Sequence, residues 1–211
     1  TPSLLKDCLQ KEIDLIESGN DTHSLDPQIG KYDAIVLAYG LCSNGVVGIK
    51  SSKYPIVITR GHDCITLLLG SKERYKEYFD THRGTYWYTG GWVENTPMPG
   101  EKRIEDTYKQ YLEVYGEENA QMLMDAEQGW VKEYSFATFV DWPQLDNSKA
   151  KEFTKACANF LNWSYDCQVG DDSLLSDLLN GNWDNNRFLV AQPGEEIAPS
   201  YDELIIKSQK I

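Results

Sequence analysis

Apolar positions along this chain alternate between two spacings: short runs that are apolar at every position, and stripes that recur every three to four residues. Ala34-Ile35-Val36-Leu37-Ala38 and Pro55-Ile56-Val57-Ile58 belong to the first kind. They are too short for a helix core, so each reads as a strand covered on both faces, one from Tyr32 to Tyr39 and one ending near Thr59. Further strands are predicted at Thr85–Thr89, at Ser135–Trp142, where β-branched and aromatic residues gather, and at Arg187–Ala191. Trp163, Tyr165, Cys167 and Val169 alternate with polar residues, the pattern of a strand with one buried face.

The second spacing predicts helices. Leu5, Cys8, Leu9, Ile13 and Ile16 form a stripe behind Thr1 and Pro2, with Gly19 past its end. Asp63 can cap Cys64–Leu69, and Ser71 can cap Lys72–Phe79. Ile104, Tyr108, Leu112 and Tyr115 mark a helix that Gly116 stops, and Glu117–Lys132 follows. Phe153, Ala156, Cys157, Phe160 and Leu161 define Ser148–Leu161, and Leu174, Leu175, Leu178 and Leu179 the next helix, closed by Gly181. Cys8, Cys157 and Cys167 therefore fall on apolar faces. Strands alternating with helices imply a three-layer α/β fold: a mostly parallel sheet with helices on both faces, Rossmann-like. No clear domain linker interrupts the pattern, so residues 1–211 read as a single α/β domain, and a polar connection spans Asn20 to Lys31.

Charge narrows the partners. With 20 basic and 33 acidic residues the formal charge is −13, which repels phosphate backbones and anionic headgroups; nucleic acid and membrane surfaces are not expected partners. No apolar run reaches the roughly 20 residues needed to span a bilayer, and a cytoplasmic location follows. Five irregularly spaced cysteines do not suit a secreted disulfide framework and read as reduced thiols.

The candidate chemistry lies where the first two strands end, in Tyr39-Gly40-Leu41-Cys42-Ser43-Asn44-Gly45 and Arg60-Gly61-His62-Asp63-Cys64, the place where open α/β sheets bind ligands. Parallel neighbours would bring both loops to one edge. Cys64 starts a helix, whose free N–H groups favour a thiolate, and a thiolate is both nucleophile and metal ligand. Cys42, His62 and Cys64 together would make the Cys2His set of some catalytic zinc sites, provided the helix begins after His62. A helix cap or a bond to a backbone carbonyl accounts for His62 equally well, and Asp63 is better read as an N-cap than as a ligand. Arg60 could pair with a small acidic ligand or hold the loop through backbone carbonyls. Tyr39, Asn44 and Ser71 could orient a ligand, although turn chemistry accounts for the last two as well. Gly90-Gly91 would let a backbone approach a ligand while Trp92 forms a wall; a buried indole beside a tight turn is the plainer alternative. Phosphate-loop, dinucleotide, hydrolase-elbow and metalloprotease signatures do not occur in the sequence. Asp21-Thr22-His23 matches the start of the D-x-H-x-x-G cobalt-ligating element of corrinoid proteins, but Asp26 replaces its glycine, and His23 reads as a solvated linker residue.

The run Tyr32–Cys42, the segment Arg60-Gly61-His62-Asp63-Cys64-Ile65 with Leu69-Gly70-Ser71, and Gly84-Thr85-Tyr86 with Gly91-Trp92 resemble the prokaryotic family known as the domain of unknown function numbered sixteen-thirty-eight. The resemblance covers most of the chain. It implies a protein of anaerobic bacteria or methanogenic archaea, encoded near corrinoid-dependent methyltransferases, and a further strand upstream of Thr1. The expected function is a metal-binding enzyme or accessory protein of one-carbon metabolism, with Cys42, His62 and Cys64 holding zinc or another thiophilic ion. The alternatives are a metal-free enzyme with Cys64 as nucleophile and His62 as base, and a non-catalytic module that binds a corrinoid protein or cofactor near Trp92. Substrate, metal and oligomeric state are left open by the sequence.

Overall fold

The computed structural model describes residues 2–23 and 32–211. Thr1, Asp26 and most of the connection expected between Asn20 and Lys31 lie outside them. The described chain divides into two compact units: residues Thr1–Tyr75 with Asp171–Ile211, and residues Lys76–Gly170. The α/β class is met, but the strands form three small sheets in place of one mostly parallel sheet.

In the first unit, α1 (Pro2–Ser18) precedes β1 (Ile35–Leu37) and β2 (Ile56–Thr59), followed by α2 (Cys64–Leu69) and the start of α3 (Lys72–Thr81), within which the boundary falls. β1 and β2 are parallel neighbours, with Ile35, Val36 and Leu37 opposite Ile56, Val57 and Ile58. The apolar runs mean what they suggested: every residue of β2 is buried. Ile56 and Ile58 pack into one core with Ile13 of α1, while Val57 faces the other way into a second core with Leu67 of α2.

The second unit contains the end of α3, β3 (Thr85–Tyr88), α4 (Gly90–Asn95), α5 (Glu101–Glu127), a 3-10 turn at Gln128–Glu133, β4 (Phe136–Asp141), α6 (Ser148–Leu161) and β5 (Ser164–Val169). Its sheet is all parallel in the order β3-β4-β5. Tyr88, Ala137 and Phe139 share a core with Ala150, Cys157 and Ala158 of α6. From the other face Tyr78 packs on Trp87 at 5.0 Å and its hydroxyl lies 2.7 Å from both Thr138 Oγ1 and Asp166 Oδ2. Gly116, with φ 76° and ψ 168°, breaks α5 where the sequence places a stop. Among the described residues no helix is long and apolar enough to cross a membrane.

The chain returns to the first unit with α7 (Ser173–Asn180), β6 (Phe188–Ala191), β7 (Glu195–Pro199) and β8 (Ile206–Lys210). β6 pairs antiparallel with β2, so this sheet is mixed. α7 adds Leu174 and Leu178 to the second core, and the β7–β8 hairpin adds Ile197 and Ile206 to the first. Polar residues interrupt the hairpin's alternation, and the sequence pattern did not reveal it.

Two placements differ from expectation. Cys8 is exposed because α1 buries the line through Leu5, Leu9, Ile13 and Ile16, and a residue one step before Leu9 sits about 100° around the helix from it. Cys157 is buried and Cys167, half-buried, packs on the same core, both on the faces expected. Gly90-Gly91-Trp92 is no open loop: Thr89 accepts a hydrogen bond from the Trp92 N–H and starts α4 there.

Candidate functional site

Past β1 and β2 the two chain segments stay side by side. Leu41 N–H donates to the Gly61 carbonyl at 2.8 Å, and Cys42 N–H to the His62 carbonyl at 2.9 Å. The approach is close enough to require glycine: a Cβ on Gly40 would stand 2.7 Å from the carbonyl carbon of Asp63. Asp63 is the N-cap the sequence indicated, accepting from the Ile65 N–H at 2.9 Å, so α2 begins after His62. Its second oxygen accepts the Tyr75 hydroxyl at 3.0 Å.

This framework brings two thiols together. Cys42 Sγ and Cys64 Sγ are 3.7 Å apart, both half-buried and neither in a disulfide. Cys42 also opens a turn in which three consecutive non-glycine residues have left-handed backbones, Cys42 at φ 48°, Ser43 at 56° and Asn44 at 67°. Such residues cost roughly 1–2 kcal/mol each, and strain of this kind concentrates at functional sites. The turn is closed by bonds from Gly45 N–H to the Cys42 carbonyl and from Val47 N–H to the Asn44 carbonyl.

The hydrogen bond from Cys64 brings the Cys42 thiol down to about 7 against the opposing effect of burial, and a main-chain bond at Gly40 assists. Cys64 is pushed upward, first by that same bond, then by burial and by the negative charges of Cys42 and Asp63. The pair thus holds one proton firmly and releases the other readily. The helix start favours a thiolate on Cys64; the hydrogen bond between the two thiols and the burial of Cys64 favour it on Cys42, while Asp63 opposes ionisation of both.

The remaining predicted residues scatter. His62 is exposed, and it is its carbonyl that joins the loop contact. Among the described residues no three His, Cys, Asp or Glu side chains gather as a metal-ligand set. Arg60 is 7% exposed, with Nε donating to the carbonyls of Asn185 and Phe188 and Nη1 to those of Leu204 and Ile206. Those donors hold the backbone; they are not extended toward an acidic ligand. The clasp flanks Ile205, a buried β-branched residue at φ 66°, which explains how that strained corner persists. Tyr39 packs against the first unit's core, Asn44 is exposed in the strained turn, and Ser71 caps α3, accepting from the Arg74 N–H. Trp92 belongs to the second unit and packs on its aromatic core. Gly40 and Tyr75 escaped the sequence reading. A glycine between two reactive loops was a usable signal, whereas nothing local linked Tyr75 to Asp63.

A family model matches residues 1–179, described as “Protein of unknown function (DUF1638)”. The chain belongs to this family. No curated protein and no solved structure matches it. The matched span contains both loops and both thiols.

Proposed function

We propose that Cys42 and Cys64 form a two-sulfur centre for a thiophilic ion, zinc foremost, with His62 as a third protein ligand, in a metal-binding enzyme or accessory protein of cytoplasmic, anaerobic one-carbon metabolism. The sulfur separation carries this reading. Two sulfurs each about 2.3 Å from a tetrahedral zinc lie about 3.8 Å apart, close to the 3.7 Å found here. That spacing matches one edge of a tetrahedral site, and the exposed His62 stands two residues before Cys64 in the same loop. A bound ion would supply Lewis-acid chemistry or an activated water. The chain's own contribution is positional: Gly40 admits the second loop, Asp63 and Tyr75 fix its end, and the exposed Asn44 of the strained turn would meet a small acidic ligand. The setting in corrinoid-dependent methyl transfer rests on the family resemblance. We also read each three-stranded sheet as the middle of three layers, Rossmann-like in plan, since core residues lie on both faces.

Zinc titration of anaerobically purified, reduced protein against a chromophoric chelator tests the reading. One ion per chain is expected, with at least tenfold weaker binding in Cys42→Ser and Cys64→Ser and a smaller loss in His62→Ala. Unchanged affinity in both cysteine variants would overturn it. A metal-free enzyme is the second reading, favoured by the lowered Cys42 thiol; Cys42 is then the nucleophile and Cys64 the group that holds the proton, in place of Cys64 and His62.

A further inference from the structure

We infer that Cys42 and Cys64 are also a dithiol couple that reduces disulfide substrates, closing reversibly to an intramolecular disulfide. This rests on the pair being the working centre, as proposed above, and is independent of any metal. The sulfurs are in van der Waals contact at 3.7 Å, and a disulfide needs about 2.05 Å. The two loops are tied at Leu41–Gly61 and Cys42–His62 and touch at Gly40–Asp63, which holds the two cysteine backbones close. Cys42 borders the exposed Ser43 and Asn44, within reach of a substrate; Cys64 lies in the first turn of α2, followed by three buried residues. Cys8 is exposed on α1 and Cys157 buried against Gly100, neither placed as half of such a pair.

Chemistry follows from this placement. The Cys42 thiolate attacks one sulfur of a substrate R–S–S–R, the S–S bond breaks, and its electron pair leaves with one RS⁻, which takes a proton. Cys64, giving its proton to solvent, then attacks Cys42 Sγ in the mixed disulfide and expels the second RS⁻, which is protonated in turn. The substrate is reduced to two RSH and the protein oxidised by two electrons. Oxidised Cys42–Cys64 has no thiolate left for a metal ion, so oxidation and zinc compete.

Full-length, metal-free protein equilibrated with mixtures of reduced and oxidised glutathione tests the inference, with alkylation and peptide mass mapping as the readout. Both thiols should be lost together, and dithiothreitol should restore them. Cys64→Ser should stop at a glutathione adduct on Cys42, and circular dichroism of that variant shows whether it has folded. Zinc added beforehand should slow the loss of thiols. Absence of the Cys42–Cys64 disulfide even in fully oxidised glutathione, or adducts appearing first on Cys8, overturns the inference. Zinc binding without oxidation would leave the proposed function standing and remove this one; oxidation without zinc binding would do the reverse.

Discussion

Both units end parallel strands in loops that carry polar chemistry, yet they treat it differently. The first unit keeps three successive left-handed residues at Cys42–Asn44, a strained Ile205, and two buried hydroxyls, Thr59 and Thr66 Oγ1, with no hydrogen-bond partner among the described residues. At β4 of the second unit everything is matched. Asp141 accepts from Asn147 at 3.1 Å and from Lys151 at 2.5 Å, Thr138 meets Tyr78, and Thr154 donates to the Ala150 carbonyl. The only left-handed non-glycine residue there is Asn162, at the C-terminus of α6, where such a backbone is usual. A sequence that specifies a fold violates its own local rules mainly where function requires it. By that criterion the strained and unpaired groups of the first unit are the ground for placing the proposed centre there.

The largest test concerns Arg60. Replacing it with methionine keeps the apolar stem but strands up to four carbonyls, those of Asn185, Phe188, Leu204 and Ile206. A buried polar group left unpaired costs about 1–3 kcal/mol, so a loss of at least about 3 kcal/mol is expected in urea unfolding. A change below about 0.5 kcal/mol would return Arg60 to the role of a ligand-facing residue.

Arg60 also shows what the sequence could and could not convey. Strand and helix identities at Ile56–Thr59, Cys64–Leu69 and Ser148–Leu161 were legible because each follows from local periodicity and capping. So was the meeting of the Cys42 and Cys64 loops, since adjacent parallel strands leave little choice. The partners of Arg60 were not legible: they lie about 125 to 146 residues away, on segments whose pairing no local pattern specifies. The same limit hid the division into three small sheets, because each strand looks alike whether its neighbour comes from one sheet or another. His62 illustrates a third limit, since sequence places the residue in the loop but does not fix which side its ring takes.

Next in size is Gly40→Ala. Its new Cβ would press on the backbone of Asp63, which cannot swing aside as a flexible side chain does, and overpacking of this kind costs about 1–3 kcal/mol. The expected signature is specific: parted loops, loss of the Cys42–Cys64 disulfide and weaker zinc binding. Normal thiol chemistry in a stable Gly40→Ala protein would mean that the backbone contact does not set the pair.

The pair should also leave a pH signature in the reduced, metal-free protein. Cys42 ionises in the folded state near 7, below its value of about 8.5 in an unfolded chain, so its contribution is present above pH 8.5 and lost as pH falls through 7. Cys64, raised in the folded state, works in the opposite direction once unfolded Cys64 begins to ionise above about pH 8.5. Relative to the double variant Cys42→Ser/Cys64→Ser, stability should rise between pH 7 and 8.5 and then decline. A flat difference from pH 6 to 10 would show that the sulfurs do not share a proton.

The smallest effect sharpens the contrast between the units most directly. Thr66 and Thr138 are both threonines, 1% and 0% exposed, one without a partner among the described residues and one 2.7 Å from Tyr78. Valine has nearly the same shape without the hydroxyl. At Thr138 the change removes a made bond and leaves the Tyr78 hydroxyl with one partner fewer, for a cost of about 1 kcal/mol. At Thr66 it removes a group that was desolvated without compensation, so stability should stay level or rise by up to about 1 kcal/mol. Paired urea titrations of Thr66→Val and Thr138→Val at one pH read the difference directly. Should Thr66→Val cost as much as Thr138→Val, the hydroxyl of Thr66 is held by something in solution, and the first unit is no less satisfied than the second.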